Sequence, residues 1–163
     1  MKKMKELRLE DLNTRQKLGM AMVASVTCND TPEQREYMFN MIRNHSLGAV
    51  WVITDTPDIE EVMKKIKDTA DYPILILTDA ESGLGEYRIG RHNTLGCTGN
   101  PDLAYHFGKI TALTAKKMGY NVVCNPVLDM NKVNSVCGRT VRSFGCDKHK
   151  VAELAIADQK SVV

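Results

Sequence analysis

The sequence predicts an α/β fold built around a parallel sheet, and three observations carry that prediction. Short apolar runs recur at residues 17–27, 49–54, 72–79 and 120–125. Between them lie segments with apolar residues at helical spacing, opened by capping residues and closed by glycine. Buried strands joined by helices favour right-handed crossovers, which make neighbouring strands parallel.

Taken in order, "KLGMAMVASVT" (17–27) reads as the first strand. "TPEQREYMFNMIRNHSLG" (31–48) reads as a helix with Thr31 as cap, Pro32 at the first helical position and Gly48 as its stop. "AVWVIT" (49–54) is the second strand. The Thr56-Pro57 pair repeats the same helix start, and Ile59, Val62, Met63 and Ile66 then fall on one helical face. "YPILILTD" (72–79) lacks polar alternation, as expected of a strand covered on both faces. Asn100 and Pro101 open a further helix that Gly119 closes. The segment from Tyr120 is the fourth strand, and "CDKHKVAELAIADQ" (146–159) begins another helix through Val151, Leu154, Ala155 and Ile156. Periodicity leaves open whether such a sheet stays flat-edged and open or curls into a barrel.

Composition removes several function classes. With 163 residues, 43% hydrophobic and 26% charged, the chain is of ordinary globular type and about one domain. Lys and Arg total 22 against 20 Asp and Glu, mixed along the chain, so there is no basic footprint for nucleic acid or a membrane surface. No run of eighteen apolar residues spans a membrane, and the basic start lacks a signal-type apolar stretch. The five cysteines (Cys28, Cys97, Cys124, Cys137, Cys146) are scattered singly, without C-x-x-C pairs, which fits free thiols and a cytoplasmic location. Cys124, inside the fourth strand, is expected to be a buried small hydrophobe. His45, His92, His106 and His149 form no cluster and are expected at the surface or at helix ends, so no metal site is predicted. Met20, Met22, Met38 and Met41 read as core filling.

The candidate chemistry lies in the loops after the third and fourth strands, since α/β proteins place ligand groups beyond the carboxyl ends of their strands. "TDAESGLGEYRIGRHN" (78–93) carries Asp79, Glu81 and Arg88, with neither a dinucleotide fingerprint nor a P-loop lysine. "NPVLDMNKVNSVCGRTVRSFG" (125–145) carries Asp129, Arg139 and Arg142. Carboxylates and guanidinium forks at one mouth suit a polyhydroxylated ligand, because hydroxyls donate to Asp while Arg donates to the neighbouring oxygens. Structural roles remain open: Asp79 and Asp129 as loop braces, Glu81 as a brace of its own loop, and Arg142 as ion-pair partner of Asp79, Asp129 or Asp147.

The ordered motifs "DAESG" (79–83), "PVLD" (126–129) and "RSFGCD" (142–147), with the helix region 95–122 between them, resemble the amino-terminal half of the barrel domain of glycoside hydrolase family 3. The resemblance implies that residues 1–163 form a partial amino-terminal domain, the first four β/α units of a (β/α)8 TIM-type barrel. The family's retaining enzymes remove β-linked sugars from non-reducing ends through a covalent intermediate, with side chains and water and no metal or organic cofactor. Carried over by position, Asp79 matches the acid that binds hydroxyls of the non-reducing sugar and Arg142 the arginine reaching the same ring. Arg88 is a looser match, because "GLGEYR" departs from the usual Gly-Gly-Arg, and Asp129 completes the substrate-binding set. "DAESG" sits nearer the β-N-acetylhexosaminidase branch than the β-glucosidases.

No segment matches the family's Lys-His motif or its nucleophile strand, so no catalytic residue is assigned. The sequence reads as an amino-terminal fragment, inactive alone and prone to self-association through exposed sheet edges. The competing reading is a complete small carbohydrate-binding or assembly protein without chemistry.

Overall fold

The computed structural model describes residues 6–53 and 57–160. Its four-stranded sheet has the order β1-β2-β3-β4, from Val23–Val26, Ala49–Val52, Leu75–Asp79 and Val122–Cys124. β1 and β2 run parallel, with Val23 opposite Ala49 and Val26 opposite Val52; β2 and β3 run parallel with Ala49 opposite Leu75. Helices alternate with the strands, so the α/β prediction holds. The chain divides into two compact units, one containing the described residues up to Thr78 with Gly119–Val122, the other Asp79–Met118 with the described residues from Val123 onward.

In the first unit, a 3-10 turn at Leu9–Asp11 leads into α1, Thr14–Met20. Asn13 caps α1 reciprocally: the Gln16 amide N–H donates to Asn13 Oδ1 at 2.9 Å, and the Asn13 N–H to Gln16 Oε1 at 3.1 Å. The expected strand from Lys17 is therefore corrected, because this capping box commits Lys17–Met20 to helix and leaves only Val23–Val26 for β1. α2, Pro32–Arg43, starts as the sequence predicts, with a Thr31–Gln34 capping box and Pro32 in its first turn. It ends differently. Asn44 is the C-cap and His45 adopts the left-handed region at φ 53°, five residues after Asn40. Gly48 serves another purpose: a Cβ there would lie 1.9 Å from the Met20 carbonyl oxygen, so the glycine permits a backbone-to-backbone crossing just before β2.

α3, Ile59–Thr69, buries Val62, Met63 and Ile66, while the Thr56 start falls outside the described residues. Asp58 ahead of it accepts from the Arg35 guanidinium of α2, Nη2 to Oδ1 at 3.2 Å. Burial along β3 alternates, with Ile76 2% and Leu75 52% exposed. The expectation of cover on both faces is thus corrected for β3, where Leu75 lies on open surface as Val23 and Ile53 do, whereas β2 buries Ala49, Val50 and Val52. Met38 is core, as expected of the methionines, but Met22 is exposed. Asn121, at the entry of β4, fastens this unit with one amide: Ile76 N–H donates to its Oδ1 at 2.7 Å, and its Nδ2 donates to the Ile74 carbonyl at 2.9 Å.

The second unit is mainly helical. α4 (His92–Thr98) and α6 (Val136–Thr140) are short; α5 (Pro101–Met118) and α7 (Lys148–Lys160) pack on each other. Asn100 Oδ1 accepts from the Asp102 N–H at 2.9 Å to open α5, and Gly119, at φ 100°, closes it, both as predicted. Asp147 Oδ1 caps α7 by accepting from His149 and Lys150 N–H groups at 2.8 and 3.0 Å. Leu95, Ala104, Phe107, Phe144, Val151, Leu154 and Ala155 form the core. Each large apolar side chain in it contributes about 1.5–3 kcal/mol of transfer free energy. Ile156 is exposed instead.

Two sequence expectations fail here for the same reason, that side-chain type does not report local cover. Cys124 is exposed, because β4 ends at the sheet's terminal position with its last residue uncovered. His92 is fully buried, packed edge-on against Phe107 and Phe144 at centroid distances of 5.7 and 4.8 Å. Among the described residues no helix is long and apolar enough to cross a membrane.

Asp158 of α7 is also buried and accepts from Asn125 Nδ2 at 3.0 Å. Burial pushes its carboxyl up from an ordinary 3.8 to about 6, against the Asn125 hydrogen bond. A pKa raised on folding penalises the native state as pH climbs from about 4 through 6, by about 1–3 kcal/mol at neutrality. Asp158→Asn should therefore raise the melting temperature at pH 8 and leave it nearly unchanged at pH 4, measured by circular dichroism across pH.

Candidate functional site

Asp79 is the last residue of β3, and Glu81 follows two residues on, near enough for its charge to act on the Asp79 carboxyl. The chain then loops back so that the Ile89 N–H donates to the Ser82 carbonyl at 3.0 Å, and Arg88 lies exposed on that returning arm. After β4 the chain passes exposed Asp129, forms α6 under a Ser135 cap, and reaches Arg142 through Val141. Val141 is held at φ 51°. A β-branched residue in the left-handed region is strained by about 1–3 kcal/mol, and here it marks the turn that presents Arg142.

Arg142 meets Glu81 through a two-pronged ion pair. Nε donates to Glu81 Oε2 at 2.8 Å, and Nη2 donates to Oε1. This is a correction to the expected partners Asp79, Asp129 or Asp147. The reason is geometric: the fork of a guanidinium matches both oxygens of one carboxylate, and Glu81 has the extra methylene needed to present them. Glu81 thus braces more than its own loop, since it fixes the loop after β3 to the segment after α6. The Glu81 carboxyl is held below the usual range, first by the Arg142 hydrogen bond, and the Arg142 guanidinium is raised by the same contact.

Asp79 sits beside this pair. Its carboxyl is pushed up by burial and by the Glu81 charge, and pulled down by Arg142. Cys124 borders it, with a thiol raised by burial and by the Asp79 charge. Cys137 of α6 plays the equivalent part beside Asp129, its thiol raised by burial, by the Asp129 charge and by a hydrogen bond to that carboxylate. The structure therefore groups Asp79, Glu81 and Arg142, and joins Asp129 to the same neighbourhood through Cys137. Sequence reading missed Cys124 because its place in an apolar strand pointed to burial, missed Cys137 because a lone cysteine carries no spacing signal, and underrated Glu81, although the Asp-x-Glu spacing after a strand was the available signal.

Behind the pair lies His92. Its imidazole faces the Asn125 side chain and the Arg142 carbonyl, and burial holds it below its ordinary pKa, so it stays neutral at physiological pH. Chemically, the group can hold neighbouring hydroxyls: Asp79 accepts, and the guanidinium edge not spent on Glu81 donates. Among the described residues no three His, Cys, Asp or Glu side chains are placed to hold a metal ion.

Residues 3–160 match the family model described as the glycosyl hydrolase family 3 N terminal domain. A β-N-acetylglucosaminidase/β-glucosidase of Cellulomonas fimi is 26% identical over 154 residues, covering 90% of this chain and 26% of that protein. A solved family 3 β-N-acetylglucosaminidase from Paenibacillus sp. str. FPU-7 superposes with a TM-score of 0.77 at 23% identity, over 93% of this chain and 31% of that one. A family 3 glycosyl hydrolase from Mycobacterium smegmatis gives a TM-score of 0.75 at 21% identity, over 96% of this chain and 48% of that one. The chain thus spans less than half the length of each of these relatives.

Removing Arg142 should change both neighbouring acids. In Arg142→Gln, the Glu81 pKa is expected to rise and Asp79 to rise with it, as read by carboxyl-carbon NMR titration. In the wild type the pair's stabilisation is present above the ordinary glutamate value of 4.5 and is lost as pH falls through the lowered Glu81 value. An unchanged Glu81 titration in the variant would contradict the pairing.

Proposed function

Because the chain belongs to glycosyl hydrolase family 3, we propose that it supplies the sugar-ring side of a retaining β-glycosidase site, the first four β/α units of the barrel domain. Asp79, Arg142, Arg88 and Asp129 are the substrate-binding residues of this reading. The observation that carries it is the meeting of Asp79, Glu81 and Arg142 beyond the ends of β3 and β4, where acceptor and donor lie side by side. Asp79 accepts from hydroxyls of the terminal non-reducing sugar. Arg142, steadied by Glu81, donates to the adjacent oxygen.

The substrate we favour is a β-N-acetylhexosaminide, with β-glucoside second. Support comes from the acid-rich "DAESG" and from the Cellulomonas fimi relative, a β-N-acetylglucosaminidase/β-glucosidase. Retaining hydrolysis needs a nucleophilic carboxylate on one face of the bond and a proton donor on the other. Neither Asp79 nor Asp129 carries the family's nucleophile motif, so on this reading the 163 residues bind without hydrolysing. Five unpaired cysteines favour a reducing, cytoplasmic setting.

Exposed Val23 and Leu75 and the terminal strands β1 and β4 favour self-association of this chain through sheet edges.

Binding is the direct measurement. Titration calorimetry with methyl β-N-acetylglucosaminide and methyl β-glucoside is expected to show the former bound more tightly, and Asp79→Ala to weaken it about tenfold or more, the loss of a charge-assisted hydrogen bond. Nitrophenyl β-N-acetylglucosaminide should not be turned over; turnover above contaminant level would overturn the assignment of a binding-only role. Analytical sedimentation is expected to show dimers or larger species, and a compact monomer at all concentrations would rule the self-association out.

A further inference from the structure

The segment that carries Arg142 is held by a side chain that no part of the sugar-site reading uses. Asn131 stands two residues beyond Asp129, and Ser143 directly follows Arg142. The Asn131 amide pairs with both backbone groups of Ser143: Nδ2 donates to the Ser143 carbonyl at 3.1 Å, and the Ser143 N–H donates to Oδ1 at 3.3 Å. The Asn131 N–H adds a third bond, to the Gly145 carbonyl at 2.8 Å. These bonds close the excursion between Asn131 and Ser143, which contains α6 and Cys137.

On its other side the same segment is pressed against α4. A Cβ on Gly96 would lie 1.6 Å from the Phe144 carbonyl oxygen, so the α4 backbone touches it directly, and buried His92 packs on the Phe144 ring. Segment 142–145 therefore has a rigid wall behind it and Asn131 in front. Asn is suited to the front position because its short amide offers one donor and one acceptor at the spacing of a single residue's N–H and C=O. Asp lacks the donor, and Gln reaches too far.

We propose that Asn131 is a positioning residue of the sugar site, setting the distance between the Asp129 loop and the Arg142 guanidinium by clamping Ser143. The role rests on the sugar-site reading above, but its effect on Arg142 is measurable without sugar. With the clamp in place, the Arg142 backbone is fixed, and its fork reaches both Glu81 oxygens. Without it, the front of the segment is free, and the two-pronged pairing gives way to a looser contact.

The test uses the full chain and the variants Asn131→Ala and Asn131→Asp, the latter keeping the acceptor for the Ser143 N–H. Hydrogen exchange at Arg142 Nε–H, followed by proton–nitrogen NMR, is expected to speed up about tenfold in Asn131→Ala and less in Asn131→Asp. Affinity for methyl β-N-acetylglucosaminide should fall about tenfold in Asn131→Ala. Thr31→Ala, which removes the α2 cap in the other unit, lowers the melting temperature and should leave Arg142 exchange unchanged, separating positioning from general destabilisation. If Asn131→Ala melts earlier but exchanges Arg142 Nε–H at the wild-type rate, the proposal is overturned. Should Asn131→Ala fail to fold, Asn131→Asp decides by the same measurement. If the wild type binds no glycoside, the sugar-site reading fails, and Arg142 exchange still decides the clamp.

Discussion

One ion pair, Glu81 with Arg142, organises the second unit's polar surface. Glu81 leaves β3 two residues after Asp79, and Arg142 lies sixty-one residues further along the chain. A contact of that separation is costly in chain entropy and forms only where the intervening elements are already packed. Here α5 on α7, with the core around Phe107, Phe144 and Leu154, provides the packing. The pair is part-exposed, so its net contribution to stability is small. Its consequence is geometric: it decides which edge of the guanidinium is spent on Glu81.

Much of this was legible in the sequence, for identifiable reasons. The Thr31–Pro32 and Asn100–Pro101 starts were readable because capping chemistry is local: four consecutive residues contain donor, acceptor and φ preference. Val62, Met63 and Ile66 were readable because helical spacing puts them on one face. Asp79 and Arg142 were readable as candidates because strand ends place residues at the ligand-facing edge, and family resemblance marked which ones. The illegible parts depend on contacts distant in sequence. Gly48 looks like a helix stop until Met20 is found against it. His92 looks like a surface histidine until Phe107 and Phe144 close over it. Cys124 is apolar in context, yet its strand is the last of the sheet. The capping box at Asn13 was local and available in the sequence, but the apolar run after Lys17 obscured it, since a strand and a short helix present similar apolar content over so few residues.

The same physical device appears in both units. Asn121 joins Ile76 of β3 to Ile74 just before the strand, and Asn131 joins both polar groups of Ser143. In each case an amide side chain substitutes for a missing backbone neighbour, satisfying one N–H and one C=O that a loop would leave to water. Such a substitute fixes one or two residues rather than a whole ladder. It suits places where the chain must be held at one point and left free on either side.

Charge then limits what the site can recognise. Asp79, Glu81 and Asp129 share a neighbourhood with Arg142, and the thiols of Cys124 and Cys137, raised first by burial, are raised further by the Asp79 and Asp129 charges. An anionic ligand would meet repulsion from these carboxylates, with the guanidinium already committed to Glu81. A neutral, hydroxyl-bearing ligand meets acceptors it can donate to and one donor edge, without displacing a charge. On the proposed sugar-site reading, this arrangement would disfavour phosphorylated or uronic sugars and favour neutral ones, a preference that follows from the ion pair before any contact with the ring is considered.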